Sequence, residues 1–197
     1  QNVCIGTSNS DIGTRNINIG VNAGKVMAGG ALDNICIGTD AGYTLSTSDD
    51  NVLIGTNAGY SISTGNGDNV LIGRNCGYYV STGYDNVFIG DSAGKGVSAT
   101  ALTGYENVAI GDLAMYKETV GTANVAIGYQ AAYQLTDAQN NVAVGYQALY
   151  DLTTQDDNVA IGYTAGANIT DTGGGNTLIG KSAGDTITTG QLNTCIG

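Results

Sequence analysis

The chain has 197 residues and a formal net charge of −11, with six lysines and arginines and no histidine. This acidic balance argues against nucleic acid and against an anionic membrane surface as partners. Without histidine there is no Ser-His or Cys-His arrangement for nucleophilic catalysis, and no apolar run reaches the length needed for membrane insertion. The composition therefore predicts a protein that is not an enzyme, and no catalytic residue, cofactor or metal site stands out.

A short pattern, Asn-x-x-(Ile/Val)-Gly, recurs from one end of the chain to the other. Successive copies are mostly 17 or 18 residues apart, with one interval of 14 and one of 21. Such self-similarity is typical of a repeat architecture. We therefore expect residues 1–197 to form a single repeat domain, a segment of a longer fibre. The twelve copies begin at Asn2, Asn16, Asn34, Asn51, Asn69, Asn86, Asn107, Asn124, Asn141, Asn158, Asn176 and Asn193.

Each repeat unit is too short for two helices and a turn, which is the unit of helical solenoids. It holds two short β-branched segments separated by Gly, Asn, Asp and Ser, a composition that predicts two strands and two turns. Stacked units of this kind form an all-β fold, a parallel β-solenoid of about twelve coils. At ~4.8 Å per coil the rod would be roughly 55 Å long.

The second half of the unit carries its own landmarks. An Ala, or Cys76 in one copy, lies seven residues after the motif Asn from the second copy onwards. Four residues later an apolar side chain follows in most copies, which indicates a second buried column. These apolar residues are Leu45, Ile62, Val80, Val97, Leu135, Leu152, Ile169 and Ile187.

Side-chain alternation along the motif strand assigns its two faces. We expect the first and third residues, such as Val125 and Ile127, to fill the coil, and the middle residue to point outwards. The middle residue is apolar or Cys in almost every copy, which indicates a strand that is covered on both sides. The simplest cover is a second copy of the rod. The predicted subunit interface comprises Ala126, Ala143, Ala160, Leu53, Leu71 and Phe88.

The motif Asn and Gly are present in every copy. Both residue types tolerate left-handed backbone angles at tight corners, and stacked Asn side chains can hydrogen-bond along the rod. We therefore expect a structural ladder that includes Asn124, Asn141, Asn158, Gly128, Gly145 and Gly162.

The phrase "NVAIG" resembles the head repeat of trimeric autotransporter adhesins, and "NVAIGYQALY" with "AGYTLST" resembles repeats of bacteriophage tail-fibre proteins. The first resemblance implies a left-handed parallel β-roll that assembles as a homotrimer. The second implies a fibre shaft on a virion.

Several surface features leave further hypotheses open. Tyrosine rows that include Tyr129, Tyr133, Tyr146 and Tyr150 are a candidate ligand surface for a glycan, or simply pack along the rod. Acidic residues before the motif Asn suit turns or Ca²⁺. Rows of Ser and Thr suggest an ice-binding face, and the cysteines suggest a disulfide between subunits. The 21-residue interval predicts a surface bump within 94–104.

Together these features predict a shaft or head segment of a virion tail fibre or a comparable extracellular fibre, which holds a receptor-binding tip and contributes to adhesion. Its partners would be copies of itself, as a homotrimer with head-to-tail stacking, and a cell-surface glycan receptor. Two alternatives remain: a trimeric adhesin on a bacterial cell surface that binds glycan or matrix, and an ice-binding solenoid.

Overall fold

The computed structural model describes residues 2–6, 13–27, 30–65, 67–97, 102–170, 173–188 and 190–197. Twelve three-residue strands form one parallel sheet in chain order, and the described residues contain no helix. Each strand comes from one copy of the motif. The strands are β1 Val3–Ile5, β2 Ile17–Ile19, β3 Ile35–Ile37, β4 Val52–Ile54, β5 Val70–Ile72, β6 Val87–Ile89, β7 Val108–Ile110, β8 Val125–Ile127, β9 Val142–Val144, β10 Val159–Ile161, β11 Thr177–Ile179 and β12 Thr194–Ile196.

The strands stack in register because equivalent residues of successive repeats pair with each other. Val125 faces Val142, and Ala126 faces Ala143, across the β8–β9 ladder. The Val125 amide donates to the carbonyl of Asn141 at 2.8 Å. One strand per repeat, each paired with the strands before and after it, makes the chain a parallel β-solenoid, as the repeat predicts.

The prediction of two strands per coil is wrong for the described residues, in which each coil has one. The remainder of each coil alternates between ordinary and left-handed backbone angles, as at Gln130 (φ 54°) and Ala132 (φ 50°). This alternation forms turns rather than an extended strand. The turn segments still stack, since the Gln134 amide donates to the Tyr150 carbonyl of the next coil at 3.0 Å.

The predicted orientation of the strand is also wrong. The middle residue of the strand points into the coil, and the first and third residues point outwards, in β2 to β11. All three residues are apolar in most strands, so hydrophobicity alone does not distinguish the faces. The residues of the predicted subunit interface are therefore fully buried core of a single chain: Ala126, Ala143, Ala160, Leu53, Leu71 and Phe88.

The core is a narrow column built from the same positions in each coil. In the eighth coil, Ala126 of the strand meets the landmark Ala131 and the apolar Leu135, all with no exposed surface. Side chains of successive coils continue these columns along the rod, so each coil buries its apolar residues against its neighbours.

The 21-residue interval does not disturb the register of the solenoid, because a later apolar residue occupies the core position that Val97 was predicted to fill. Leu102 is buried and forms a parallel bridge with Val80 of the preceding coil, whereas Val97 is half-buried. The extra residues therefore lie between Val97 and Leu102. Residues 98–101 of the predicted bump lie outside the described part of the chain.

Candidate functional surfaces

The motif asparagines form a continuous hydrogen-bonded column inside the rod. The Asn124 side-chain oxygen accepts from the backbone amide of Asn141 at 3.0 Å and from its side-chain amide at 3.1 Å. The same pair of bonds joins Asn158 to Asn141, at 2.9 and 3.0 Å. Most of the side-chain amides also donate to backbone carbonyls; that of Asn141 reaches Gln139 at 3.0 Å and Gln155 at 2.9 Å. These side chains satisfy buried backbone groups at the coil corner, which is a structural role.

The motif glycines form a second column in which no side chain fits. Gly128 and Gly145 adopt φ of 134° and 137°, and Gly162 adopts 143°. A Cβ on Gly128 would lie 2.4 Å from the carbonyl oxygen of Gly145, and a Cβ on Gly145 would lie 2.3 Å from that of Gly162. Both the backbone angle and the close approach of the next coil therefore require glycine.

The outward face of the sheet is an apolar strip. Every strand has Ile or Val at its third position, and ten of the twelve have Val or Ile at the first, with Thr177 and Thr194 in the last two. Most of these side chains are half-buried, and some are well exposed, such as Ile127 at 38% and Ile161 at 40%. None of the thirty-six strand residues is charged. This strip, which we call the Val/Ile face, is the surface that the predicted orientation had placed in the core.

The tyrosine rows are parallel stacks of rings. Tyr133 lies 5.2 Å from Tyr116 and 5.1 Å from Tyr150, measured between ring centroids, with interplanar angles of 3° and 7°. A second stack places Tyr146 5.4 Å from Tyr129 and 5.0 Å from Tyr163. Such contacts stabilise successive coils by offset stacking.

This geometry divides the predicted glycan surface into two kinds of residue. Sugars pack on the faces of aromatic rings, and Tyr133 and Tyr146 each have a ring on both faces. They offer solvent only their edges and hydroxyl groups. Tyr129 and Tyr150 end their stacks, so each has one face without a tyrosine neighbour. A ring-face ligand therefore has access only to the ends of a stack.

The acidic residues before the motif Asn occupy left-handed corners, with φ of 55° at Asp50, 56° at Asp68 and 55° at Asp85. Burial, together with the negative charges of Asp50 and Asp85, raises the pKa of Asp68 above its ordinary value. Within the described residues, no group of three or more Cys, Asp or Glu side chains is placed to hold a metal ion. The left-handed backbone angles of these acidic residues are those of a turn, which supports the hypothesis that they form the corners of the coil.

Glu118 places a carboxylate in the middle of the core. The repeat pattern did not predict a polar residue at this position. Glu118 occupies the position of Leu135 in the next coil and is fully buried, and its oxygens make no hydrogen bond of good geometry, although the nearby Asn107 side chain partly opposes the rise in its pKa. Desolvation raises the pKa of Glu118 to about 8. The signal was present in the sequence, since a Glu four residues after Ala114 interrupts a column of apolar side chains.

The cysteines divide by depth. Cys36 and Cys76 are buried, and desolvation raises the pKa of each thiol to about 12. Cys4 is exposed and Cys195 is half-buried. Cys36 was expected to face outwards with Cys4 and Cys195, but its side chain is in the core, where it cannot reach another subunit.

The hydroxyl rows lie in turn segments rather than on the sheet. Thr119 donates its hydroxyl to the Thr136 carbonyl of the next coil at 2.9 Å, and Thr136 donates to Thr153 at 3.2 Å. These hydroxyl protons are therefore committed to backbone oxygens, while outer-row residues such as Thr82 are exposed.

Within the part of the chain that the structure describes, no helix is long and apolar enough to cross a membrane. Comparison with protein-family models, with curated proteins and with solved structures finds no match to this chain.

Proposed function

We propose that the chain is a rigid segment of an extracellular fibre, such as a virion tail fibre, and that copies of it associate through the Val/Ile face. The observation that carries this proposal is the uncharged strip along the outside of a twelve-stranded sheet, which is Val or Ile at every outward position except Thr177 and Thr194. From strand spacing and rise, the Val/Ile face is roughly 55 Å long and 10 Å wide, an area of about 500 Å². Single apolar patches of this size on a soluble domain commonly mark an interaction site.

A second copy of the same chain suits this strip better than an unrelated partner. The strip repeats at the strand spacing along its whole length, so an identical rod presents Val and Ile at the same intervals. The strands contribute no charge, although the chain carries a net charge of −11. Rods that meet through this face keep their carboxylates apart, which limits the repulsion between them.

Three copies are the assembly that the resemblance to trimeric adhesin heads favours. A trimer would cover the strip of every copy and leave the turns and tyrosine stacks on the outside. The buried Asn column and the in-register backbone bonds would make such a shaft stiff, so that it could hold a receptor-binding tip away from a virion. The same architecture would serve a bacterial surface adhesin.

The experiment is sedimentation velocity of the full chain at micromolar concentration, together with an Ile110→Lys/Val142→Lys double variant. Both side chains point outwards from the Val/Ile face. We expect an oligomer for the parent chain and a folded monomer for the variant, because a buried ammonium group without a partner opposes association. The matched control is Thr82→Lys/Thr154→Lys, which adds the same charge at exposed turn positions and should stay oligomeric.

A monomeric parent chain would refute self-association, and so would a double variant that remains oligomeric. Circular dichroism of each variant distinguishes lost assembly from lost folding. We also expect the oligomer to strengthen as salt is added, because salt screens the repulsion between acidic rods.

A further inference from the structure

One surface column contains both tyrosine stacks that follow the landmark Ala-Gly corner. From Lys25 to Ala167, successive members are joined along the rod by backbone bonds of one type: the residue after a member donates its backbone amide to the carbonyl of the member in the next coil. Gln134 donates in this way to Tyr150, and Asp151 donates to Ala167, each at 3.0 Å. In chain order the column contains Lys25, Tyr43, Tyr60, Tyr78, Lys95, Tyr116, Tyr133, Tyr150, Ala167 and Asp185.

Each stack in this column begins with a lysine. The Lys25 ammonium lies 4.9 Å from the ring centroid of Tyr43, and the Lys95 ammonium lies 5.4 Å from that of Tyr116. The lysine comes from the preceding coil in both cases, so it covers the ring that opens the stack. The chain thus uses an alkylammonium group as the cap of a tyrosine stack, through cation–π attraction.

The far end of the second stack has no such cap. Tyr150 stacks on Tyr133 on one side, while the next coil places Ala167 at the column position. A methyl group cannot cover a phenol ring, so the column leaves that face of Tyr150 open. Beyond Ala167 the column continues with a carboxylate, Asp185.

A surface cavity of about 430 Å³ occupies this gap. Tyr150 and Ala167 line it together with the acidic residues Asp151 and Asp185, and none of the described residues that line it is basic. The Asn168 side-chain amide donates to the Asp185 backbone carbonyl at 2.7 Å, which ties the two coils together at the edge of the cavity. We call this cavity the Ala167 notch.

We propose that the Ala167 notch binds an organic cation, a primary ammonium or guanidinium group, on the open face of Tyr150 and between the carboxylates of Asp151 and Asp185. The bound group takes the place that Lys95 takes at the other end of the stack. An aromatic face together with two acidic groups selects for positive charge. A free alkylamine and a basic side chain of a partner protein both supply such a group. The site does not depend on self-association, because every residue in it belongs to one chain.

Three probes identify the bound group and its source. The full chain is titrated with n-butylammonium, with the blocked peptide acetyl-Gly-Lys-Gly-amide, and with the isosteric neutral peptide acetyl-Gly-norleucine-Gly-amide, and backbone amide shifts are followed by NMR. We expect saturable shifts at residues of the notch with both cations and none with the norleucine peptide. Tighter binding of the lysine peptide than of the free amine would indicate a protein partner, and the reverse would indicate a small amine. Equal shifts with the neutral peptide, or no shift with either cation, would overturn the proposal.

The decisive variant is Ala167→Tyr, which continues the stack and fills the notch. We expect it to remain folded, since the same position of the preceding coil already holds Tyr150, and to abolish binding. Tyr150→Leu and Asp185→Asn should each weaken binding by about fivefold to tenfold. The matched control Tyr60→Leu removes an interior ring of the other stack and should leave binding unchanged. Binding that survives in Ala167→Tyr, with circular dichroism showing the native fold, would exclude the notch as the site.

Discussion

A methyl group on Gly94 would lie 2.2 Å from Cδ2 of Phe88, so the glycine at one side of the coil makes room for the ring at the other. The position six residues after the middle of the strand shows the same complementarity elsewhere. A Cβ on Gly77 would lie 2.6 Å from Leu71. In the coil after that of Phe88 the order is reversed, because the strand carries Ala109 and the facing residue is the buried Met115. The coils of Phe88 and Ala109 therefore fill a similar interior with one large and one small side chain, in opposite order.

This complementarity predicts a rescue of one core substitution by another. Phe88→Ala should cost about 3–5 kcal/mol in the free energy of unfolding, because it leaves a cavity. Gly94→Met alone should also destabilise, since the new side chain meets the Phe88 ring. The double variant reproduces the Ala109 and Met115 arrangement of the next coil and should recover at least half of the summed loss. Urea unfolding of the four proteins gives the coupling energy, and additive effects would contradict a shared space.

The Asn column predicts a large difference between neighbouring asparagines. Asn141→Ala removes a side-chain amide whose two protons are shared among three acceptors, and a side-chain oxygen that accepts two hydrogen bonds. It leaves buried backbone groups without partners, so the free energy of unfolding should fall by about 3–5 kcal/mol. Thermal and urea unfolding measure the loss.

The matched control for this variant is Asn140→Ala. Asn140 is exposed, its side-chain amide donates to the Asp157 carboxylate, and its left-handed position is occupied by Ala123 one coil earlier. We expect its cost to stay below about 1 kcal/mol. Similar losses in the free energy of unfolding for both variants would show that the buried Asn column does not stabilise the fold more than an exposed Asn does.

Glu118 predicts a pH dependence of stability with a defined sign. Its pKa is about 8 in the folded chain and about 4.3 in an unfolded chain. Between these values the folded state binds a proton that the unfolded state has released, so stability falls as the pH rises from about 4.3 to about 8. The slope for this group is about 1.4 kcal/mol per pH unit. Below about pH 4.3 the carboxyl group is protonated in both states, and its burial then lowers the free energy of unfolding least.

Glu118→Leu tests this dependence, because leucine occupies the equivalent position at Leu135. We expect the variant to be more stable than the parent at pH 8, and the difference between the two proteins to shrink towards pH 5. Glu118→Gln should remove the slope while keeping a polar group in the core. A pH-independent difference in urea unfolding would show that the carboxylate does not titrate within this window.

The cysteines predict a simple pattern of alkylation. In the native chain at pH 8, iodoacetamide should modify Cys4 first and Cys195 more slowly, whereas Cys36 and Cys76 should remain unmodified until the chain is denatured. Burial and the raised pKa of both core thiols leave almost no accessible thiolate. Mass spectrometry of peptides after timed labelling measures the order. Rapid native labelling of Cys36 would show that the middle residue of β3 is not in the core.

The sequence was sufficient to predict the stacking of the coils. Every copy of the motif has the same Asn and Gly. At a fixed spacing, repeated Asn indicates a column of side chains that hydrogen-bond at the corner of each coil, and repeated Gly indicates a position with no room for a Cβ. The tyrosine rows could also be anticipated, because equal spacing places equivalent residues above one another. The orientation of each ring could not, since it depends on contacts between neighbouring coils, and it is the orientation that leaves only the ends of a stack open.

The faces of the strand could not be assigned from the motif itself. Val125, Ala126 and Ile127 are all apolar, so alternation permits either orientation. A signal did exist in the variation between copies, because the residue six positions later is glycine wherever the middle residue is Leu or Phe, as with Phe88 and Gly94. Such a relationship is visible only when the two columns are compared with each other.

The amino-acid sequence by itself determined a stack of parallel coils, since it repeats the Asn-x-x-(Ile/Val)-Gly motif at a nearly constant interval. The tertiary structure alone decided which side of that stack is the interior. The direction in which the turn residues curve places Ala126 inside and Val125 and Ile127 outside, and no local property of these three residues sets that direction. The same curvature leaves Val125 and Ile127 on the surface, within the Val/Ile face through which we propose that copies associate.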